Sequence, residues 1–328
     1  MLEKNSLNEA FKKAILISLI ALVLLIALAF QAEAFPLLIK TNLVLLIVAL
    51  TSYFFSIFIW IYGWYYAMKK NVSISFEKIA LIGFTAMLGI VTPMQLGNEM
   101  LRSYLLKKYF NVSNTISLGA SFIIKALKLS MLALLGLIII VLFSFQTKLL
   151  PYQSIALISG FAAITLFSLL FLFPSNILAK KLLPKIKITN KLSSFLINYQ
   201  AALKKISRKE FFMLLLFSFG SWFFEFFSLL FVFIASGHPM PFLSVLVLFI
   251  LIALLERTPF VPKGIGLVET ASVIFLTNPW LSQANYSIQS VALIIILFSF
   301  IRIVFPMIIG LAAGFFLIKY EIPKKTVN

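Results

Sequence analysis

All ten acidic residues in this 328-residue chain are glutamates. Four of them sit where chemistry is expected. Glu99 precedes Arg102 by three positions, so on a helix the two share a face and can pair. They follow Thr92-Pro93-Met-Gln-Leu-Gly97, a stretch that interrupts a helix. A helix restarting there presents free N–H groups and a positive dipole end, which suits an anionic group such as phosphate. The same pair would also serve as a plain ion pair closing a hairpin. Glu256, Arg257, Lys263 and Glu269 surround a second interruption that holds Pro259, Pro262, Gly264 and Gly266. The glycines allow a ligand or a neighbouring helix to approach the backbone closely, and mutual salt bridges closing a buried loop are the other reading. Glu225 and Arg302 each lie near the middle of a long apolar run, where a lone charge costs several kcal/mol. They are expected to pair with each other or with the hairpin charges, and either would serve as a proton site. Lys125 and Lys128 lie nearer the inner end of a span and are expected to snorkel.

Aspartate and cysteine are absent and His238 is the only histidine. Disulfides, Cys-ligated metals and the Asp-x-Asp metal sites of nucleotide-sugar enzymes are therefore excluded, and no metal or cofactor is expected. His238, beside Pro239 in a turn, reads as a loop residue.

The elements that position these residues must be membrane helices. The chain is 62% hydrophobic and 12% charged, against about half and about a quarter in soluble proteins. Apolar runs longer than about 18 residues recur, each long enough for a hydrocarbon core about 30 Å thick. The net charge of +18 would suggest nucleic acid in a soluble protein. Here the positive-inside rule and anionic lipid head groups account for it, and nucleic-acid binding is excluded.

The resulting fold class is an all-α polytopic membrane protein, N-in and C-in, with about six full spans and two re-entrant helical hairpins. Spans are expected near 14–30, 43–68, 115–145, 152–173, 211–235 and 288–318, the first being a retained span rather than a cleaved signal. Trp60, Tyr62, Trp64, Tyr65 and Tyr66 read as an aromatic belt at the end of the second span. Residues 79–91 and 242–255 are too short to cross, which places re-entrant hairpins at about 79–110, from the cytoplasmic side, and about 242–277, from outside. The proposed cytoplasmic segments hold 21 of the 28 basic residues, which orients the chain. Three regions follow: a first membrane half over 1–175, a basic amphipathic linker on the inner leaflet over 176–209, and a second membrane half over 210–328.

The two interruptions resemble each other. Pro93-Met-Gln-Leu-Gly97-Asn-Glu99 and Pro262-Lys-Gly-Ile-Gly266-Leu-Val-Glu269 both run from Pro to a Gly four positions on and then to a Glu, and both regions contain Thr-Pro. Paired, broken short segments in halves of opposite orientation form an inverted repeat and point to a transporter's binding site.

Thr92-Pro-Met-Gln-Leu-Gly-Asn-Glu-Met-Leu-Arg-Ser-Tyr-Leu-Leu-Lys107 and Pro259-Phe-Val-Pro-Lys-Gly-Ile-Gly-Leu-Val-Glu269 resemble the lysylphosphatidylglycerol synthase transmembrane-region family. These are flippase-like membrane proteins akin to the membrane half of the multiple peptide resistance factor. The resemblance covers nearly the whole chain. It implies movement of lipids or lipid-linked intermediates between leaflets, with Glu99, Arg102, Pro262, Gly264, Gly266 and Glu269 as core positions. Two departures stand out. Lys125 and Lys128 occupy a helix that often carries Asp in the family, and Lys263 follows Pro262 where the family often has Gly. The aminoacyl-transferase domain fused in some relatives is missing, so lysyl transfer is not expected.

The function expected is that of a lipid flippase in the cytoplasmic membrane of the cell. An anionic or phosphate-bearing head group would be held between the hairpins by Glu99, Arg102, Glu225, Glu256, Arg257, Lys263, Gly264, Gly266, Glu269 and Arg302, with breaks at Pro93, Gly97, Pro259 and Pro262. The alternatives are an intramembrane enzyme acting on a polyprenyl phosphate, such as a glycosyltransferase, or a non-catalytic accessory subunit. The partners are membrane lipids, and oligomerisation is left open.

Overall fold

The computed structural model describes residues 35–92, 95–146, 206–257, 261 and 263–319, with positions 23 and 27 standing alone. The spans expected over 14–30 and 152–173, nearly all of the basic linker, and the breaks at Pro93, Pro259 and Pro262 lie outside those residues. The described residues form helices and turns, with no strand among them.

A short helix, α1 (Phe35–Ile39), leads into the long α2 (Leu43–Met68). Two short helices follow, α3 (Phe76–Thr85), which tightens into a 3₁₀ turn over Ala86–Gly89, and α4 (Leu96–Phe110), and then the long α5 (Asn114–Gln146). The second half runs through α6 (Arg208–Ala235), the short α7 (Phe242–Leu255) and α8 (Leu267–Thr277), and the single turn α9 (Pro279–Ser282). It ends in α10 (Ile288–Ser299), a π turn over Phe300–Val304, and α11 (Phe305–Lys319), which together make one long helical rod. Leu43–Met68, Asn114–Ile139, Arg208–Ala235 and Ile288–Lys319 are long and apolar enough to cross a membrane. The order long, short, short, long thus occurs twice, and all of these helices except α4 fall on an apolar run visible in the sequence.

The first long helices of the two halves, α2 and α6, pack along their length and run antiparallel. The Asn42 amide donates to the Ala235 carbonyl at 2.9 Å at one end, and Lys70 meets Glu210 at 2.8 Å at the other. Between them the Ser52 hydroxyl donates to the Phe224 carbonyl at 2.8 Å and the Ser221 hydroxyl to the Ser56 carbonyl at 3.1 Å. Small polar residues at such a seam let backbones approach and satisfy each other across it, which is how helices adhere where lipid removes the hydrophobic incentive. A capping box, Ser207 with Glu210, starts α6 by satisfying orphan N–H groups on both sides of the terminus.

Each short pair folds back on itself. In the first, Lys78 at the start of α3 lies 6.0 Å from the ring centre of Phe110 at the end of α4, while the tip is closed by Thr92. Its hydroxyl donates to the Gly89 carbonyl at 2.9 Å and accepts from the Gly97 amide at 2.8 Å. Gly89 is obligatory here, since a Cβ would overlap the backbone of Gly97 and Asn98. In the second pair three positive-φ residues, Lys263, Gly264 and Gly266, turn the chain. A Cβ on Gly264 would come within 2.8 Å of the Leu255 carbonyl. The hairpins are exchanged between the halves, because α3 packs on α11 and α7 packs on α5. Gly310 of α11 permits the first contact, its Cβ position lying 3.0 Å from the Leu88 amide.

The turn after α6 is tied down by side chains. The His238 ring contacts the Ser236 carbonyl at 2.7 Å and the Ser290 hydroxyl at 2.6 Å. Burial pushes the Tyr286 phenol up to about 12, so it stays a donor to the Pro239 carbonyl at 3.2 Å.

The π turn has an identifiable cause. Pro306 has no N–H for the carbonyl four residues earlier, which belongs to Arg302. The Tyr53 hydroxyl of α2 donates to that carbonyl instead, at 3.4 Å. Tyr53→Phe should therefore cost about 1 kcal/mol, the low end for an orphaned buried acceptor at this long distance. Equilibrium unfolding in detergent measures it, and an unchanged midpoint would mean that the bond carries nothing.

Candidate functional site

The ionisable residues buried among the helices form three linked groups. In the first, Glu99 in the first turn of α4 pairs with Lys125 of α5 at 3.2 Å and lies 3.6 Å from Arg102. Arg102 is 0% exposed. Its guanidinium stacks against the indoles of Trp60 and Trp64, 4.2 and 4.7 Å from the ring centres. A desolvated guanidinium on indole is a favourable cation–π contact. It leaves the N–H groups unspent, however, and Nε, Nη1 and Nη2 all lack hydrogen-bond partners. Trp64 is held in turn by its own N–H, which donates to the Ser117 carbonyl at 3.3 Å.

The second group is centred on Trp222 of α6. Lys128 donates to Glu225 at 3.2 Å and to Ser221 at 2.9 Å, and its ammonium sits 4.1 Å from the Trp222 ring centre. Arg257 packs on the same indole at 4.6 Å and donates to the Ala253 carbonyl. The indole N–H reaches the Lys128 carbonyl at 2.8 Å, so one tryptophan positions two cations.

The third group belongs to the second hairpin. Glu256, at the end of α7, pairs with Lys263 at 2.7 Å and with Arg302 at 3.2 Å. Arg302, also 0% exposed, reaches Glu269 as well and donates to the Lys263 carbonyl at 3.0 Å. Glu269 caps α8 by accepting from the Gly266 amide at 2.6 Å, and it accepts from the Ser299 hydroxyl at 2.8 Å. The correspondence with the first half is close: Glu99 and Glu269 each stand in the first turn of the hairpin's return helix. Each pairs with a cation midway along the next long helix, Lys125 or Arg302.

A cavity of about 50 Å³ lies among these groups, room for roughly three or four waters. Its charged lining is Lys125, Lys128, Arg257 and Lys263 against Glu225 and Glu256. Gln95 reaches it from the tip of the first hairpin and Lys263 from the tip of the second. The two tips, far apart in sequence, therefore meet at one polar chamber between apolar helices.

The sequence-derived candidates divide accordingly. Glu225, Glu256, Arg257 and Lys263 line the chamber, while Glu99, Arg102 and Arg302 stand behind it in contact with lining residues and Glu269 stands behind Arg302. Gly264 is taken by helix packing, and the Gly266 amide is taken by Glu269. Gly97 is closed in by Thr92. Among the breaks, Pro93, Pro259 and Pro262 are outside the described residues.

Of the two pairings expected for Glu225 and Arg302, Arg302 takes the hairpin glutamates, while Glu225 takes Lys128 instead of either. Two other expectations change. Lys125 and Lys128 do not snorkel; they turn inward to two different carboxylates. Trp60 and Trp64 are not belt anchors but support Arg102, with Trp64 wholly buried. The signal that could have found the lysines is their place inside an apolar run rather than beyond its end. Among the described residues, no group of three His, Cys, Asp or Glu is placed to hold a metal ion.

Comparison with known proteins places this arrangement in context. The lysylphosphatidylglycerol synthase TM region family matches residues 14–310. A UPF0104 membrane protein of Methanocaldococcus jannaschii is 28% identical over 239 residues, 73% of this chain and 97% of that protein. No solved structure matches the chain.

Proposed function

Because the chain belongs to the lysylphosphatidylglycerol synthase TM region family, we propose that it carries lipids or lipid-linked intermediates across the cell membrane. The anionic head group is held at the chamber between the hairpin tips. One observation carries this reading: four cations and two carboxylates line a cavity enclosed by helices apolar enough to span a bilayer. Such groups are expensive at membrane depth and mark substrate or ion pathways. The antiparallel course of α2 and α6 supports two halves of opposite sense, and the short folded-back pairs support re-entrant hairpins. Together with the basic residues at the proposed inner ends, they favour an N-in, C-in chain.

Purified protein in liposomes containing a head-group-labelled anionic phospholipid tests this. Wild type should move the label between leaflets at least about tenfold faster than protein-free vesicles. Glu99→Ala and Glu269→Ala, each confirmed as folded by gel filtration, should lose that gain. Equal rates for wild type, both variants and empty vesicles would rule the transport reading out.

A further inference from the structure

Two residues other than glycine hold the left-handed backbone conformation at the chamber, Gln95 with φ 55° and Lys263 with φ 51°. That conformation crowds a Cβ and suits glycine, and such strain clusters where a side chain is used. Asn111 and Gln283 share the conformation but end helices, where it is ordinary. The two tip residues differ in what they hold. The Lys263 ammonium is taken by Glu256 at 2.7 Å. Gln95 precedes α4 without a side-chain cap bond, and the Thr92 hydroxyl takes the Gly97 amide in its place. Its side-chain nitrogen, Nε2, is buried and has no hydrogen-bond partner. Among the described residues lining the chamber, that is the one buried side-chain nitrogen or oxygen left unpartnered. A buried N–H without an acceptor is costly, so the occupant of the chamber must supply one.

We propose that Gln95 is a specificity-determining residue that donates to a hydroxyl of the head group, which makes the substrate an anionic lipid with a hydroxylated, polyol or sugar, head. The proposal rests on the head-group reading of the chamber and names its substrate class. A hydroxyl oxygen accepts from the Gln95 amide while its proton goes to a carboxylate, and Glu225 and Glu256 line the same chamber. Ionised phosphate oxygens only accept, so they answer Gln95 but meet the two carboxylates with like charge. An ammonium only donates and leaves Nε2 without a partner. The hydroxyl is the group that answers both kinds of lining atom, and it brings no charge that either must offset.

The test is equilibrium binding to the full chain in detergent, with phosphatidylglycerol, phosphatidylinositol, phosphatidylmethanol, phosphatidylcholine and glycerol 1-phosphate as probes. The first three carry the same phosphodiester charge, and phosphatidylmethanol has no hydroxyl on its head. At least one hydroxylated lipid should bind at least about fivefold tighter than phosphatidylmethanol, the size of one neutral hydrogen bond made in place of a stranded donor. Gln95→Met, similar in length but without a donor, and Gln95→Gly should each cut that preference to about twofold or less. Gln95→Gly keeps the fold, because glycine suits the left-handed backbone. A smaller wild-type preference for both hydroxylated lipids, with all three anionic lipids bound tighter than phosphatidylcholine, would overturn the proposal and leave the anionic head-group reading intact. A preference that survives both substitutions would overturn the assignment to Gln95. Binding no tighter than phosphatidylcholine for every anionic lipid would overturn the head-group reading as well. Glycerol 1-phosphate binding as tightly as phosphatidylglycerol would make this a site for a soluble polyol phosphate and overturn the assignment to a lipid.

Discussion

Arg302→Gln is expected to cost about 3–5 kcal/mol, the price of breaking a fully buried ion pair by removing one partner. Arg302 is 0% exposed and serves Glu256, Glu269 and the Lys263 carbonyl together. Without it Glu256 keeps only Lys263, Glu269 keeps only a serine hydroxyl and an amide, and the turn between Lys263 and Gly266 loses its clamp. Arg302→Lys should recover little, because an ammonium cannot span two carboxylates as a planar fork does. Equilibrium unfolding in mixed micelles measures both variants. A loss under about 1 kcal/mol for Arg302→Gln would show that the group is not the clamp described.

Removing Lys128 and Glu225 together should harm the protein far less than their separate effects imply. The side chains are 11% and 9% exposed and border the chamber, so water offsets part of the penalty. Lys128→Met and Glu225→Met should each cost about 2–3 kcal/mol. The double variant should cost only about 2 kcal/mol, a non-additivity of about 3 kcal/mol, at the upper end for directly coupled residues. The same unfolding measurement on all four proteins closes the cycle, and additive losses would refute the pairing. Transport should fail in the double variant even though its fold persists, separating the two roles of the pair.

The helices were legible because membrane helices announce themselves by length and apolarity. The runs over 43–68 and 242–255 coincide with α2 and α7. The hairpin positions were legible from Thr92-Pro93 and from Pro262 to Gly266, since few residues interrupt a helix so firmly. The charge partners were not. Periodicity shows which face of a surface helix turns inward only when the other face is polar, and α5 or α6 is apolar nearly all round. Lys125 and Lys128, three residues apart, could equally point to head groups or to carboxylates in another helix. Only the packing of α5 against both α4 and α6 decides it. Tryptophan is ambiguous in the same way: Trp60 and Trp64 lie near a helix end, where an interfacial role and a buried cation support look alike in sequence.

Three of the four tryptophans, Trp60, Trp64 and Trp222, lie against buried cations, while Trp280 is 68% exposed. The native emission spectrum therefore divides into an inner trio in a fixed electric field and one outer fluorophore. Trp280→Phe would leave a chain whose tryptophan fluorescence comes wholly from the described site. Any movement of Arg102, Lys128 or Arg257 relative to the rings would then appear as a change in wavelength or lifetime, with no label attached.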